Sequence, residues 1–319
     1  MSTKLRSLVL VLLSLASVTA LAQRGVTDST KNPSQIAILH WYRANLTTSF
    51  VVGSSPVGAA FDGANIWVAN ANSNNVTKVR TSDGAELGTF SVGTTPQNVA
   101  FDGANIWVTN ASSSSVTKLR ASDGATLGTF TVGKDPQGIA FDGVDIWVAN
   151  ALSNSVTKLR ASDGAVLGTF SVGQFPVGVA FDGNHVWVAT AQSNDVMKLR
   201  ASDGAVVGTF PVGSSPIGVA FDGANIWVSN QSSNNLTKLR ASDGVVLGTF
   251  NVGSSPEGVA FDGANIWVAN FSSNSVTKLR ASDGAVLGTF SVGANPYGVA
   301  FDGASIWVAN LGGNSVSKL

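Results

Sequence analysis

The 319-residue sequence has no cysteine and very little histidine, glutamate or methionine, two of each. Without cysteine there is no disulfide framework, no thiol nucleophile, no cysteine-bound metal and no lipidated cysteine. With only His40 and His185, serines have no neighbouring imidazole to activate them, and no ligand set rich in histidine exists. No glycine-rich loop leads into a helix, so dinucleotide chemistry is excluded as well. These absences argue against a catalytic centre, a metal or a cofactor. Charge is also scarce: 12% of residues are charged, and 19 basic side chains balance 19 acidic ones. Gripping nucleic acid requires a basic excess that displaces counterions, so nucleic acid is not an expected partner.

What the sequence has is apolar material and turns, with 44% hydrophobic residues and 35 glycines. Residues 1–22 carry Lys4 and Arg6, a short apolar run and an Ala20-Leu21-Ala22 end, the pattern of a secretory signal peptide. The run is too short for a membrane helix, which takes about 20 apolar residues. The expected mature chain begins at Gln23, is secreted or periplasmic, and is not inserted in a membrane. Residues 23–44 read as a leader with room for one extra strand, and residues 45–319 as the folded domain.

That domain is a repeat. Phe-Asp-Gly recurs at Phe61, Phe101, Phe141, Phe181, Phe221, Phe261 and Phe301, always 40 residues apart. Each unit holds four short strand signals, a to d, rich in β-branched and aromatic residues. Asp-Gly follows a and lies between c and d, the dipeptide of tight hairpins, so successive strands run antiparallel. No apolar period of 3.6 appears, which excludes helical solenoids. A four-stranded unit of this length is a propeller blade. Strand b is apolar on both faces, with Ile66 and Val68 opposite Trp67 and Ala69, as stacked blades require. The expectation is all-β, a seven-bladed β-propeller of four-stranded antiparallel blades, acting as a monomer.

The last unit stops after a, b and c. Its missing d strand stands near the start as LTTSFVVG, residues 46–53, matching VLGTFSVG elsewhere. The N-terminal strand therefore completes the last blade and seals the ring. Two segments compete for strand c of that blade, residues 36–39 (IAIL) and 316–319, and the second fits the repeat better.

The pattern P-x-G-V-A-F-D-G-x-x-I-W-V-A-N, then S-V-T-K-L-R and G-T-F-x-V-G, resembles the bacterial YVTN-type (YncE-like) β-propeller repeats over residues 45–319. A looser similarity runs to virginiamycin B lyase propellers, and it implies a magnesium-assisted elimination with a histidine base. Here His185 follows strand a of the fourth blade, whereas Glu257 begins strand a of the sixth, at the opposite end of the strand. Groups so placed do not meet on one substrate.

Seven aspartates, Asp62 through Asp302, close the a strands. They offer either a cation-holding ring or turn caps, and the identical Asp-Gly use between c and d favours caps. The lysines from Lys78 to Lys318 are expected to form a solvated fringe whose stems lie over the adjacent blade.

The copies differ mainly in the d-to-a and b-to-c loops, which strand direction puts on one face. Variable loops on a fixed scaffold are where a ligand is read. On that face Phe175, Phe271 and Tyr297 are candidate apolar contacts, and Gln97, Lys134, Gln137 and Glu257 candidate polar ones. Neutral variation of exposed loops is the alternative. The expected partner is a protein or polysaccharide of the cell envelope or exterior, bound without catalysis, with a degenerate lyase and a purely structural envelope protein as rivals.

Overall fold

The computed structural model describes residues 48–319. The expected signal peptide and leader, His40 and residues 36–39 lie outside the described residues. Within them stand seven four-stranded antiparallel sheets. Blade 1 runs a (Pro56–Phe61), b (Asn65–Asn70), c (Asn75–Arg80) and d (Glu86–Ser91). Blades 2 to 6 repeat this order, and the a strands of neighbouring blades touch in an unbroken circuit around the axis.

Closure is as the sequence implies. Blade 7 takes a, b and c from Pro296–Phe301, Ile306–Asn310 and Ser315–Lys318, and its d strand is Thr48–Val51, with Phe50 paired to Val316. Strand c of the closing blade is thus the C-terminal candidate. Phe50 stacks on Trp307 at 5.6 Å, as Phe90 packs on Trp67 at 5.3 Å inside blade 1. On its other side Phe50 lies against Gly84 of blade 1, where a Cβ would sit 1.9 Å from the ring. That glycine also has φ +75°, so both space and backbone demand it.

Each blade interface is a small core. Trp67, Ala69 and Val76 of blade 1 meet Val99, Ile106, Val108 and Leu119 of blade 2, while Ile66 and Val68 meet Trp307 of blade 7. The alternation of a strand sends successive side chains to opposite neighbours, which is why b is apolar on both faces.

The lysines depart from the expected fringe. Lys78, Lys118, Lys158, Lys198 and Lys238 are buried. Lys118 Nζ lies 5.0 Å over the Trp107 ring and donates to the Ala161 carbonyl of the next blade at 2.7 Å. The whole side chain, ammonium included, is a rivet between blades, satisfied by a backbone carbonyl and an aromatic face rather than by water. Lys278 keeps its place 4.7 Å over Trp267, but among the described residues no carbonyl receives it. Trp267 is correspondingly 8% exposed, whereas the other six blade tryptophans are sealed.

The Asp-Gly turns obey the capping alternative. Asp62 Oδ1 accepts from the Ala64 and Asn65 amides at 2.9 and 2.7 Å, and Oδ2 from the Trp67 indole at 2.7 Å. Burial pushes this carboxyl up, but the bonds from Trp67, Asn65 and the two amides outweigh it and hold the group below its ordinary range. The indole bond repeats in all seven blades, so the aspartate orients the interface tryptophan as well as capping the turn. The Arg80–Asp83 pair nearby, at 3.0 Å, has both side chains about half exposed, where such a pair contributes typically under about 1 kcal/mol.

Candidate functional site at the channel mouth

Strand a begins on the variable face with proline. A bulge interrupts its pairing with b just after, between Pro56 and Ala59 in blade 1. The two residues of the bulge line the axial cavity, where the blades nearly touch, with Glu257 of blade 6 the exception. A Cβ on Gly138 or Gly178 would stand 2.1 Å from the carbonyl oxygen of Val177 or Ile217 in the following blade. A Cβ has no room at these two glycines unless the neighbouring backbone shifts, and blade 2 departs from the pattern with Asn98. The axial cavity that results measures about 190 Å³ and is walled by these glycines and by valines, with Gln97, Asn98, Gln137, Val177, Ile217 and Tyr297 around its mouth.

The mouth is not sevenfold symmetric. The residue after strand b in one blade faces the residue after the proline in the next. Gln231 donates to Glu257 Oε1, and Phe271 meets Tyr297 edge to face at 6.4 Å and 86°. Blades 1 to 4 carry alanine at the first of these positions (Ala71, Ala111, Ala151, Ala191), which leaves Gln97, Gln137, Val177 and Ile217 without such a cover. One sector of the ring is thus filled and the other open. Two hydroxyls add polar stitches: Thr109 donates to the Gln137 carbonyl at 2.8 Å, and Ser229 to that of Glu257.

Electrostatically, Glu257 stands out. It is 2% exposed, and its Oε2 is buried without a hydrogen-bond partner. Burial, offset in part by the Gln231 bond, pushes its carboxyl up to about 7. The Tyr297 hydroxyl is pushed further up than usual by burial and then by the negative charges of Glu257 and Asp135. Asp135 in turn accepts from the Gln137 amide at 2.8 Å.

The structure sorts the expected contact residues. Gln97, Gln137 and Tyr297 line the mouth, and Phe271 backs Tyr297. Glu257 does not line the cavity and is buried, not the free polar contact expected, because Gln231 reaches across the blade boundary to it. Lys134 and Phe175 lie outside the cavity lining, in the d-to-a loops of blades 3 and 4. Lys134 is exposed, and Phe175 holds φ +56° while its amide donates to Asn154 Oδ1. Leu152, in the same loop as Asn154, is 64% exposed. Sequence reasoning missed Asn98, Asp135 and Gln231. The signal was available, since Gln231/Glu257 and Phe271/Tyr297 depart together at the same 26-residue spacing.

On the opposite face His185 Nδ1 lies 3.4 Å from Asp182 Oδ2, the oxygen that accepts from Trp187. The magnesium implied by the lyase resemblance finds no fitting donor set. Among the described residues no three His, Asp or Glu side chains converge, and each turn aspartate is occupied by its own amides and tryptophan.

The family described as outer membrane protein assembly factor BamB (PQQ_2) matches residues 152–311, half of the chain. The chain belongs to that family. No curated protein sequence matches this BamB-family chain. Its fold is shared by a streptogramin B lyase at 19% identity and TM-score 0.73, covering 86% of this chain and 96% of that one. A catalytically inactive virginiamycin B lyase from Staphylococcus aureus with quinupristin follows at 18%, 0.75, 86% and 98%. Hydrazine synthase of Kuenenia stuttgartiensis gives 19%, 0.73, 85% and 96%. At such identities the likeness is one of fold, common to unrelated activities.

Proposed function

We propose that this chain is an exported, non-catalytic binding propeller that recognises a protein or glycan of the cell envelope at the face formed by its d-to-a and b-to-c loops. The observation that carries the reading is the asymmetric mouth: the repeat is nearly invariant elsewhere, yet Gln97, Asn98, Gln137 and Tyr297 line one axial cavity, and Gln231/Glu257 and Phe271/Tyr297 form matched pairs across blade boundaries beside it. Matched pairs are not what independent variation of exposed loops produces. Binding sites favour a concave centre with a few fixed polar groups, and here Gln97, Gln137 and Tyr297 supply them, with Leu152 and Phe175 as outer apolar contacts. The family's description as an outer membrane assembly factor favours a protein over a glycan. The distance of His185 from Glu257, on opposite faces, supports a non-catalytic role. On our reading the repeats are of the YVTN type, and export removes residues 1–22.

The test is binding of the purified full chain to solubilised envelope material, compared with a variant carrying Gln97→Ala, Gln137→Ala and Phe175→Ala. Loss of a retained partner in the variant is expected. A partner held equally by both would overturn the face assignment. N-terminal sequencing of secreted material should read from Gln23.

A further inference from the structure

We propose that the axial cavity binds one ordered water at each of blades 3, 4, 6 and 7, hydrogen-bonded between the bulge amide of one blade and the facing carbonyl of the next. The chemistry that these sites select is a small neutral group that both donates and accepts: water in the free protein, a hydroxyl from anything that enters the mouth. The inference rests on the geometry of the repeat and stands apart from the binding reading above.

Two blades show the arrangement with a side chain in the bridging place. In blade 2 the Asn98 amide donates to Thr109 Oγ1 at 2.9 Å, and the same hydroxyl donates to the Gln137 carbonyl of blade 3 at 2.8 Å. In blade 5 the Gly218 amide donates to Ser229 Oγ at 2.8 Å, and that hydroxyl donates to the Glu257 carbonyl of blade 6 at 2.5 Å. One oxygen thus takes a hydrogen bond from one blade and gives one to the next. Both of its partners are backbone groups of a strands, so the repeat supplies them whatever the side chains.

At the equivalent position of strand b the remaining blades carry alanine: Ala69, Ala149, Ala189, Ala269 and Ala309. A methyl group offers no oxygen, yet the backbone frame around it is unchanged. The atom that a Cβ on Gly218 would meet first is the Glu257 carbonyl oxygen, at 2.4 Å. For Gly138, Gly178, Gly258 and Gly298 it is likewise the carbonyl oxygen of the next blade, that of Val177, Ile217, Tyr297 and Val57, at 2.1, 2.1, 2.4 and 2.3 Å. Blade 1 differs: the nearest atom to a Cβ on Gly58 is Asn98 Oδ1, at 2.5 Å, so a side-chain oxygen already stands there. That leaves four blades in which the amide and the carbonyl face a cavity with no side chain to join them.

Backbone donors and acceptors withdrawn from solvent are paired, and where no side chain reaches them ordered water does so. Each of these places gives a water two partners. The cavity gives it room, since about 190 Å³ is several times the roughly 30 Å³ that a water molecule takes up in the liquid. The alanine methyl keeps the water on the cavity side of the place that Ser229 Oγ fills in blade 5. A wall built of glycine and valine side chains therefore presents hydrogen-bonding groups at its inner surface. A group that displaces such a water without remaking both bonds loses affinity, so the mouth accepts a hydroxyl and disfavours an alkyl chain.

The experiment is crystallography of the full chain, at a resolution that shows ordered water, for the wild type and for Ala189→Ser and Ser229→Ala. In the wild type a water should lie within hydrogen-bond distance of the Gly178 amide and the Ile217 carbonyl, with its counterparts in blades 3, 6 and 7, and none should bridge beside Thr109 or Ser229. Ala189→Ser should lose the blade 4 water and place its own hydroxyl between Gly178 and Ile217. Ser229→Ala should gain a water between Gly218 and Glu257. Should either variant fail to fold, the other and the wild type still decide. A wild-type map without water at any one of the four places, or with bridging water beside Thr109 and Ser229 as well, would overturn the proposal. So would a Ser229→Ala structure in which the gap closes or stays empty.

Discussion

Glutamine at position 257 should make the propeller more stable in alkaline solution and leave it unchanged in mild acid. The carboxyl is pushed from 4.5 up to about 7 in the folded chain. The sign follows from linkage: the folded state holds this proton more tightly than the unfolded state, so stability falls as pH rises from the unfolded midpoint through the folded one. At about 1.4 kcal/mol per unit the cost reaches about 3 kcal/mol above pH 7 and vanishes below pH 4.5. Because the side chain is 2% exposed, solvent screening removes little of it. Glutamine keeps the shape and the oxygen that Gln231 contacts but never ionises. For a domain of this size roughly 3 kcal/mol corresponds to a rise in Tm of about 5–10 °C. Thermal unfolding of wild type and Glu257→Gln at pH 5 and pH 8, followed by tryptophan fluorescence, measures it. A gap between the two proteins that is the same at both pH values would refute the buried, proton-linked carboxyl.

Two further outcomes follow from the interfaces. Phe50→Ala should cost about 2–4 kcal/mol, as much as Phe170→Ala inside blade 4, because Phe50 stacks on Trp307 and packs on Gly84 just as Phe170 meets Trp147 and Gly204; a near-silent Phe50→Ala in urea unfolding would mean that the ring is not sealed there. Lys118→Ala should destabilise by about 1–3 kcal/mol, leaving the Ala161 carbonyl unpaired, and Lys278→Ala by clearly less, since among the described residues Lys278 has the Trp267 contact without a carbonyl; equal costs would contradict the rivet.

The fold was legible because it is written seven times. The 40-residue spacing, the two Asp-Gly turns per unit and the displaced d strand at residues 46–53 fixed blade number, strand direction and closure. The lysines were misread because their partners leave no trace in side-chain chemistry: a backbone carbonyl 43 residues away can accept from any donor. The aspartate bond to tryptophan was hidden for a related reason, since capping alone explained the Asp-Gly pair. At the mouth, Gln97, Gln137 and Tyr297 were found from their departure from the repeat. The burial of Glu257 was not, because a glutamate in a loop after proline looks exposed until Gln231, in another blade, is seen to cover it. Lys134 and Phe175 vary equally but stand outside the cavity, since variability marks a face and only geometry marks its centre.

Site-specific photocrosslinking in cells tests the central claim most directly, with a benzophenone amino acid placed at Gln97 or Phe175 on the variable face and at Ala224 on an exposed Asp-Gly turn of the other. The account predicts one discrete adduct from positions 97 and 175 and none from 224. An adduct from 224 alone, or equally from all three, would contradict it.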